Sequence, residues 1–210
     1  MSAWQELRDV NRELAFLLLF APANRRDVAA DIMLLATELD KAIHIPSEVM
    51  LAAIRVQWWH DALAATENAK VPLVQRFQRH YADGLFSPCD ITNIIDGWRD
   101  RIADDQLPKF QCWAGCWQML ARLFDASEHE QNAGIVGAHL AALQASPEHR
   151  VNASLVYNLP DVATAPSWLK MAVYLQCHWH ANPTEMPEHP LLIWRMVAWR
   201  FGFMPKRPTL

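Results

Sequence analysis

The chain has 210 residues, 52% of them apolar, and a formal net charge of −4 at pH 7. This size and composition predict one globular domain over residues 1–204, followed by a short tail at 205–210. The mixed charges lack the basic footprint of nucleic-acid binders, so nucleic acid is excluded as a partner.

Four cysteines without a paired framework, and a start without a signal-peptide pattern, favour a reducing, cytoplasmic setting. The longest apolar run, near Ala15–Ala23, is shorter than the roughly 20 residues that span a bilayer. Ten tryptophans and only six glycines leave few tight hairpin turns. We therefore predict an all-α protein of about eight to ten helices.

The first predicted helix opens with a capping box formed by Ser2 and Gln5. Its apolar face continues from Trp4 through Leu18 until Pro22 ends the helix. A second helix is predicted from Asn24 to Ile43, a third is capped by Ser47, and a fourth runs from Pro72 to near Gly84. Further helices are expected to begin near Asp90, Pro108, Ser127, Ser167 and Pro190, and the one β-like fragment is Val151–Pro160.

The third helix carries IRVQWWHDALAA, from Ile54 to Ala65, with two adjacent tryptophans. Neighbouring residues on a helix point about 100° apart, so only one of the two can occupy the centre of a buried stripe. The spacing predicts Trp58 in the core and Trp59 beside Arg55 at its edge. A wide core face and a pocket wall are the two readings left open.

Three polar sets on the predicted helices remain as candidates for chemistry, since no phosphate loop or nucleophile motif occurs. Cys112 and Cys116 lie one turn apart but lack partners for a zinc site. His178 and His180 splay about 200° apart on a helix and cannot readily chelate together. On the first three helices, acidic and basic groups either face a common cavity or form solvated surfaces: Asp9 paired with Arg12, then Arg25, Arg26, Glu38, Asp40, Arg55 and Asp61.

These residues resemble a known family over roughly the first 65 positions. DVNR at Asp9, NRR at Asn24, ATELD at Ala36 and PSEVMLAAIRVQWWHDAL at Pro46 are similar to the amino-terminal landmarks of squalene/phytoene synthases. The resemblance is greatest to the branch that includes the mitochondrial complex I assembly factor. It implies an isoprenoid synthase-like helical bundle, shortened at its C-terminal end.

Active members of that family hold Mg²⁺ and two isoprenoid diphosphates through two aspartate-rich segments. The first segment corresponds here to Asp40-Lys41-Ala42-Ile43-His44, which keeps one aspartate and gains a cation that opposes Mg²⁺. In the second, Gln144 is followed three residues later by Pro147 instead of asparagine. The resemblance therefore implies a degenerate synthase without a required cofactor.

Carried onto this chain, the resemblance gives a set of candidate site residues. Catalytic candidates are Glu38, Asp40 and Asp61, with Asp40 as the metal candidate if Mg²⁺ is used. Candidate ligand-binding residues are Arg12, Arg25, Arg26, Arg55 and Trp59.

Three functions follow as hypotheses from these observations. The first is assembly or scaffolding of a membrane respiratory complex, with a subunit of that complex as partner. The second is binding of a lipid or isoprenoid, and the third is an active Mg²⁺-dependent prenyl transferase. Aromatic and basic residues mixed within 190–208 suit contact with a membrane surface, so a peripheral position at the inner membrane is expected.

Overall fold

The computed structural model describes residues 2–45, 48–65, 70–104, 110–145, 160, 163–182 and 191–203. Within these ranges every regular element is helical, which confirms the all-α prediction for the described part of the chain. Its α-helices are α1 (Ala3–Val10), α2 (Arg12–Leu17), α3 (Arg26–His44), α4 (Val49–Ala64), α5 (Pro72–Ala82), α6 (Pro88–Ala103), α7 (Trp113–Leu123), α8 (Glu130–Ala145), α9 (Ser167–Ala181) and α10 (Leu192–Arg200).

The predicted first helix is two helices, because the chain breaks at Asn11. Its backbone is extended, with φ −146°, and its side-chain oxygen accepts a hydrogen bond from the Leu14 N–H. An asparagine that caps the next helix stabilises the break, since it satisfies an N–H that lacks a partner within the helix. The capping box of Ser2 and Gln5 at the start of α1 is confirmed.

Helix α3 lies at the centre of the fold and matches the predicted second helix within two residues at its start. It packs against α1, α4, α5, α6 and α7. Ile32, Leu35 and Leu39 on its predicted apolar stripe are fully buried. Helix α3 therefore sets the relative positions of the helices that pack around it.

Two predicted helix starts are corrected by the structure. Ser87, not Asp90, is the N-cap of α6, and Asp90 is the third residue of a capping box. Ser127 opens a short 3₁₀ helix, Ser127–His129, ahead of α8 rather than capping α8 itself.

Of the remaining predicted helix boundaries, some are confirmed and others lie outside the described residues. Pro72 stands in the first turn of α5 as predicted, and Gly84, with φ +68°, follows its end. Ser47, Pro108, Pro190, the β-like residues 151–159 and the tail at 205–210 lie outside the described residues.

Tryptophans fill the interior formed by α6, α7, α8 and α9. Trp98, Trp168 and Trp179 are fully buried, and the rings of Trp117 and Trp168 stand 5.9 Å apart. Gly137 of α8 faces the Trp117 indole so closely that an added Cβ would overlap the ring. Among the described residues, no helix combines the length and apolar content needed to cross a bilayer.

Candidate functional site: the α4 surface

Helix α4 buries a different tryptophan from the one predicted. Its buried stripe is Ala52, Val56, Trp59 and Leu63, with Trp59 only 9% exposed and Trp58 47% exposed. Leu51 and Ile54, which share the face of Trp58 at three- and four-residue spacing, are exposed as well. The expectation of Trp58 in the core and Trp59 at the edge is therefore wrong, because the helix is turned by about one residue step, roughly 100°.

This rotation leaves an apolar row in solvent. Met50, Ile54 and Trp58 follow one another at four-residue spacing, and the first two are 73% and 58% exposed. Ile45, Val49 and Leu51 add exposed apolar area nearby. Contiguous apolar patches of this kind on a soluble protein mark interaction sites more often than isolated exposed residues do.

Ile54 and Trp58 form a ridge between two grooves, and we call the ridge and both grooves the α4 surface. The α3–α4 groove has a volume of about 410 Å³ and is lined by Glu38, Lys41, Ala42, Ile45, Ile54, Arg55, Trp58 and Trp59. The α4–α6 groove has a volume of about 890 Å³ and is lined by Met50, Ala53, Ile54, Gln57, Trp58, Asp61, Asp96, Arg99, Asp100, Ile102 and Ala103.

The α3–α4 groove brings together three of the sequence candidates: Glu38, Arg55 and Trp59. The Lys41 ammonium donates to Glu38 Oε1 at 2.8 Å. Lys41 occupies a position where the family resemblance implies a metal-binding aspartate, and its charge opposes a divalent cation. This groove therefore presents a paired carboxylate beside an apolar wall.

Asp40 and Asp61 lie elsewhere. Asp40 Oδ1 accepts a hydrogen bond from the Trp113 indole N–H at 3.3 Å, which ties α3 to α7. Asp61 lines the α4–α6 groove, where hydrogen bonds from His60 and Gln57 lower its pKa. The three candidate carboxylates thus have separate surroundings, and the described residues contain no cluster of three or more metal-ligating side chains.

The other arginine candidates lie away from the α4 surface and contact other parts of the chain. The Arg12 guanidinium lies 5.1 Å from the centre of the Phe16 ring, while Asp9 pairs with its neighbour Arg8. Arg25 donates to the Leu123 carbonyl and pairs with Asp125 at 3.0 Å. Arg26 Nε donates to the Leu18 carbonyl at 3.0 Å.

A buried polar cluster centred on Asp31 of α3 was not predicted from the sequence. Asp31, whose side chain is 2% exposed, accepts from Arg76 Nε at 2.6 Å and contacts His80 Nε2 at 2.8 Å. Arg76 also pairs with Glu6 at 3.0 Å, so the cluster joins α1, α3 and α5. A lone carboxylate within the apolar run VAADIMLLA was the signal that could have revealed it.

The cysteine pair considered above is buried, and His178 contacts a neighbouring helix. Cys112 and Cys116 are buried thiols that form no disulfide, and burial raises the pKa of Cys112 to about 12. His178 Nε2 lies 2.7 Å from Arg195 Nη1 and so links α9 to α10. A thiol held in its neutral form is a poor nucleophile and metal ligand.

Comparison with known proteins adds no family assignment. No family model matches the chain, and searches of the curated proteins and of the solved structures return no match. The similarity to squalene/phytoene synthases therefore rests on the quoted residues and stays a prediction.

Proposed function

We propose that this chain is a non-catalytic, squalene/phytoene synthase-like protein that binds a partner during assembly of a membrane-bound respiratory complex. The α4 surface is its partner-binding face. The observation that carries this proposal is the exposed row Met50, Ile54 and Trp58, which stands between two open grooves. Burying such a row yields about 25 cal/mol per Å² of apolar area, which favours association.

The separation of the candidate carboxylates supports a non-catalytic role. Mg²⁺-dependent transfer of a prenyl group needs carboxylate oxygens that converge on the same ions. Glu38 is paired with Lys41, Asp40 bonds to α7, and Asp61 lies in the other groove. An active prenyl transferase built from these three residues would need all of them to rearrange.

Binding of a lipid or isoprenoid inside the bundle is the less favoured alternative. The space between Leu14, Met33, Trp117 and Trp168 measures only about 10 Å³. Pockets for small ligands commonly have about 300–1,000 Å³. An isoprenoid chain is therefore too large for this interior space, whereas the two grooves of the α4 surface are open to solvent.

The C-terminal part of the chain supports a second contact, with a membrane surface. Trp194, Phe201 and Phe203 are 70%, 78% and 77% exposed, and Arg195 and Arg200 lie among them in sequence. Leu192, Met196 and Trp199 of α10 are buried instead. Exposed aromatics mixed with basic groups suit the headgroup region of an anionic leaflet, which fits a peripheral position at the inner membrane.

Photo-crosslinking in intact cells tests both contacts. We expect benzoylphenylalanine in place of Trp58 to give an adduct with a respiratory-complex subunit, identified by mass spectrometry. In place of Trp194 we expect adducts with lipid. Arg79, exposed on α5, is the matched control position and should give neither. Equal adduct patterns from Trp58 and Arg79 would remove the support for the α4 surface as a partner-binding face.

A further inference from the structure

The α4–α6 groove has the dimensions of a helix-binding site. Helices α4 and α6 contain 16 residues each, so each is about 24 Å long. The apolar floor of the groove combines Met50 and Ala53 of α4 with Ile102 and Ala103 of α6, and the ridge residues Ile54 and Trp58 border it. Both walls are helices whose backbone groups are bonded internally, so an extended peptide would find no strand edge to pair with. A helix satisfies its own backbone and needs only an apolar floor.

The rim of this groove is acidic. Asp61, Asp96 and Asp100 surround the apolar floor with Arg99 as the accompanying base, which gives a formal charge of −2 for the four groups. Arg99 pairs with Asp96, with its Nη1 at 2.9 Å from Oδ1. Asp61 stands beside Gln57 and His60, whose hydrogen bonds lower its pKa and keep it ionised at neutral pH. Asp61 and Asp100 are both exposed to solvent.

The α3–α4 groove differs in charge from the α4–α6 groove. Glu38 and Lys41 form a pair there, and Arg55 adds a positive charge. The ridge of Ile54 and Trp58 thus separates an acidic side, toward α6, from a basic side, toward α3. A partner lying along the ridge meets opposite charges on its two flanks.

From this charge pattern we infer that the segment bound at the α4–α6 groove is an amphipathic helix of a partner protein. Its apolar stripe covers Ile54 and Trp58, and its basic flank faces Asp61 and Asp100. Phosphate-bearing ligands, anionic lipid surfaces and nucleic acid are repelled by the same carboxylates. The inference rests on the proposed partner-binding role of the α4 surface and specifies the chemistry of the partner.

Peptide binding to the full chain tests this inference. The probes are two fluorescein-labelled amphipathic helices of about 18 residues with the same Leu/Phe stripe, one with a lysine flank and one with a glutamate flank. Fluorescence anisotropy at two salt concentrations gives their Kd values. We expect the lysine peptide to bind at least about tenfold more tightly, with a difference that shrinks at higher salt.

Three variants make the test specific to this groove. Asp61→Lys with Asp100→Lys should reverse the preference in favour of the glutamate peptide. The control, Asp83→Lys with Glu128→Lys, changes two exposed carboxylates elsewhere by the same net charge and should keep the preference within about twofold. Ile54→Glu should weaken the binding of both peptides by about tenfold or more, because it places a charge on the apolar ridge.

Equal affinities for the two peptides would overturn the inference, as would the same response from the groove variant and its control. Concentration-dependent self-association that Ile54→Glu abolishes, without lysine-peptide selectivity, would assign the groove to a second copy of this chain instead. An adduct from Trp58 to a complex subunit, together with no peptide selectivity, would leave the proposed function standing and refute the basic-helix partner. Peptide selectivity without that adduct would support a basic helix as the ligand of the groove and would remove the support for a complex subunit as its partner.

Discussion

Trp59→Ala is expected to lower the free energy of unfolding by about 3–5 kcal/mol, the usual cost of deleting a large buried ring. Trp58→Ala, at the adjacent position, is expected to cost only about 1 kcal/mol. Trp59 belongs to the buried stripe of α4 and is 9% exposed, whereas Trp58 is 47% exposed. On truncation Trp58 loses its edge-to-face contact with Trp59, at 5.0 Å between ring centres, and the burial of only about half of its surface.

Urea denaturation followed by far-ultraviolet circular dichroism measures both losses. The two variants remove the same side chain one residue apart, so each is the other's control for composition and helix propensity. The fold of Trp58→Ala should persist. A Trp58→Ala variant as unstable as Trp59→Ala would contradict the orientation of α4, and with it the exposed ridge.

The second large effect is expected at Asp31. Asp31→Asn should lower the free energy of unfolding by about 3 kcal/mol, near the lower limit for breaking a buried ion pair. The substitution keeps the shape of the side chain but removes the charge that faces Arg76 Nε at 2.6 Å and His80 at 2.8 Å. Glu6 still pairs with Arg76, which limits the loss.

Asp96→Asn is the matched control, because it removes the same group from an exposed pair within one helix. Exposed pairs of this kind contribute about 0.3–0.5 kcal/mol. The same urea titration compares the two variants. If Asp31→Asn cost no more than Asp96→Asn, the cluster centred on Asp31 would not hold α1, α3 and α5 together.

The rotation of α4 shows that sequence periodicity alone does not always predict which face of a helix is buried. The helix has apolar residues on almost every side, so several stripes satisfy three- and four-residue spacing equally well. Which stripe is buried depends on α3 and α6, against which α4 packs. Periodicity within one helix contains no information about those neighbours. It therefore predicts Trp58 in the core, whereas the structure buries Trp59.

The sequence predicted only part of the candidate site, again because the packing of neighbouring helices was unknown. Glu38, Arg55 and Trp59 share a groove, as expected for residues on neighbouring helices. Asp40 could not join Glu38, because residues two apart on a helix point about 200° apart. Asp61 faces α6, whose position relative to α4 was unknown from sequence. The helix break at Asn11 was readable in principle, since asparagine is a strong N-cap.

A non-catalytic role requires that the protein carry out no prenyl transfer, and one measurement tests this most directly. Purified full-length protein is incubated with Mg²⁺ and farnesyl or geranylgeranyl diphosphate, and pyrophosphate release and condensed products are measured. We expect the wild type and the Asp40→Asn and Asp61→Asn variants to release the same background amount. Appreciable pyrophosphate with a condensed product from the wild type would contradict a non-catalytic role, and its loss in either variant would assign the activity to that carboxylate.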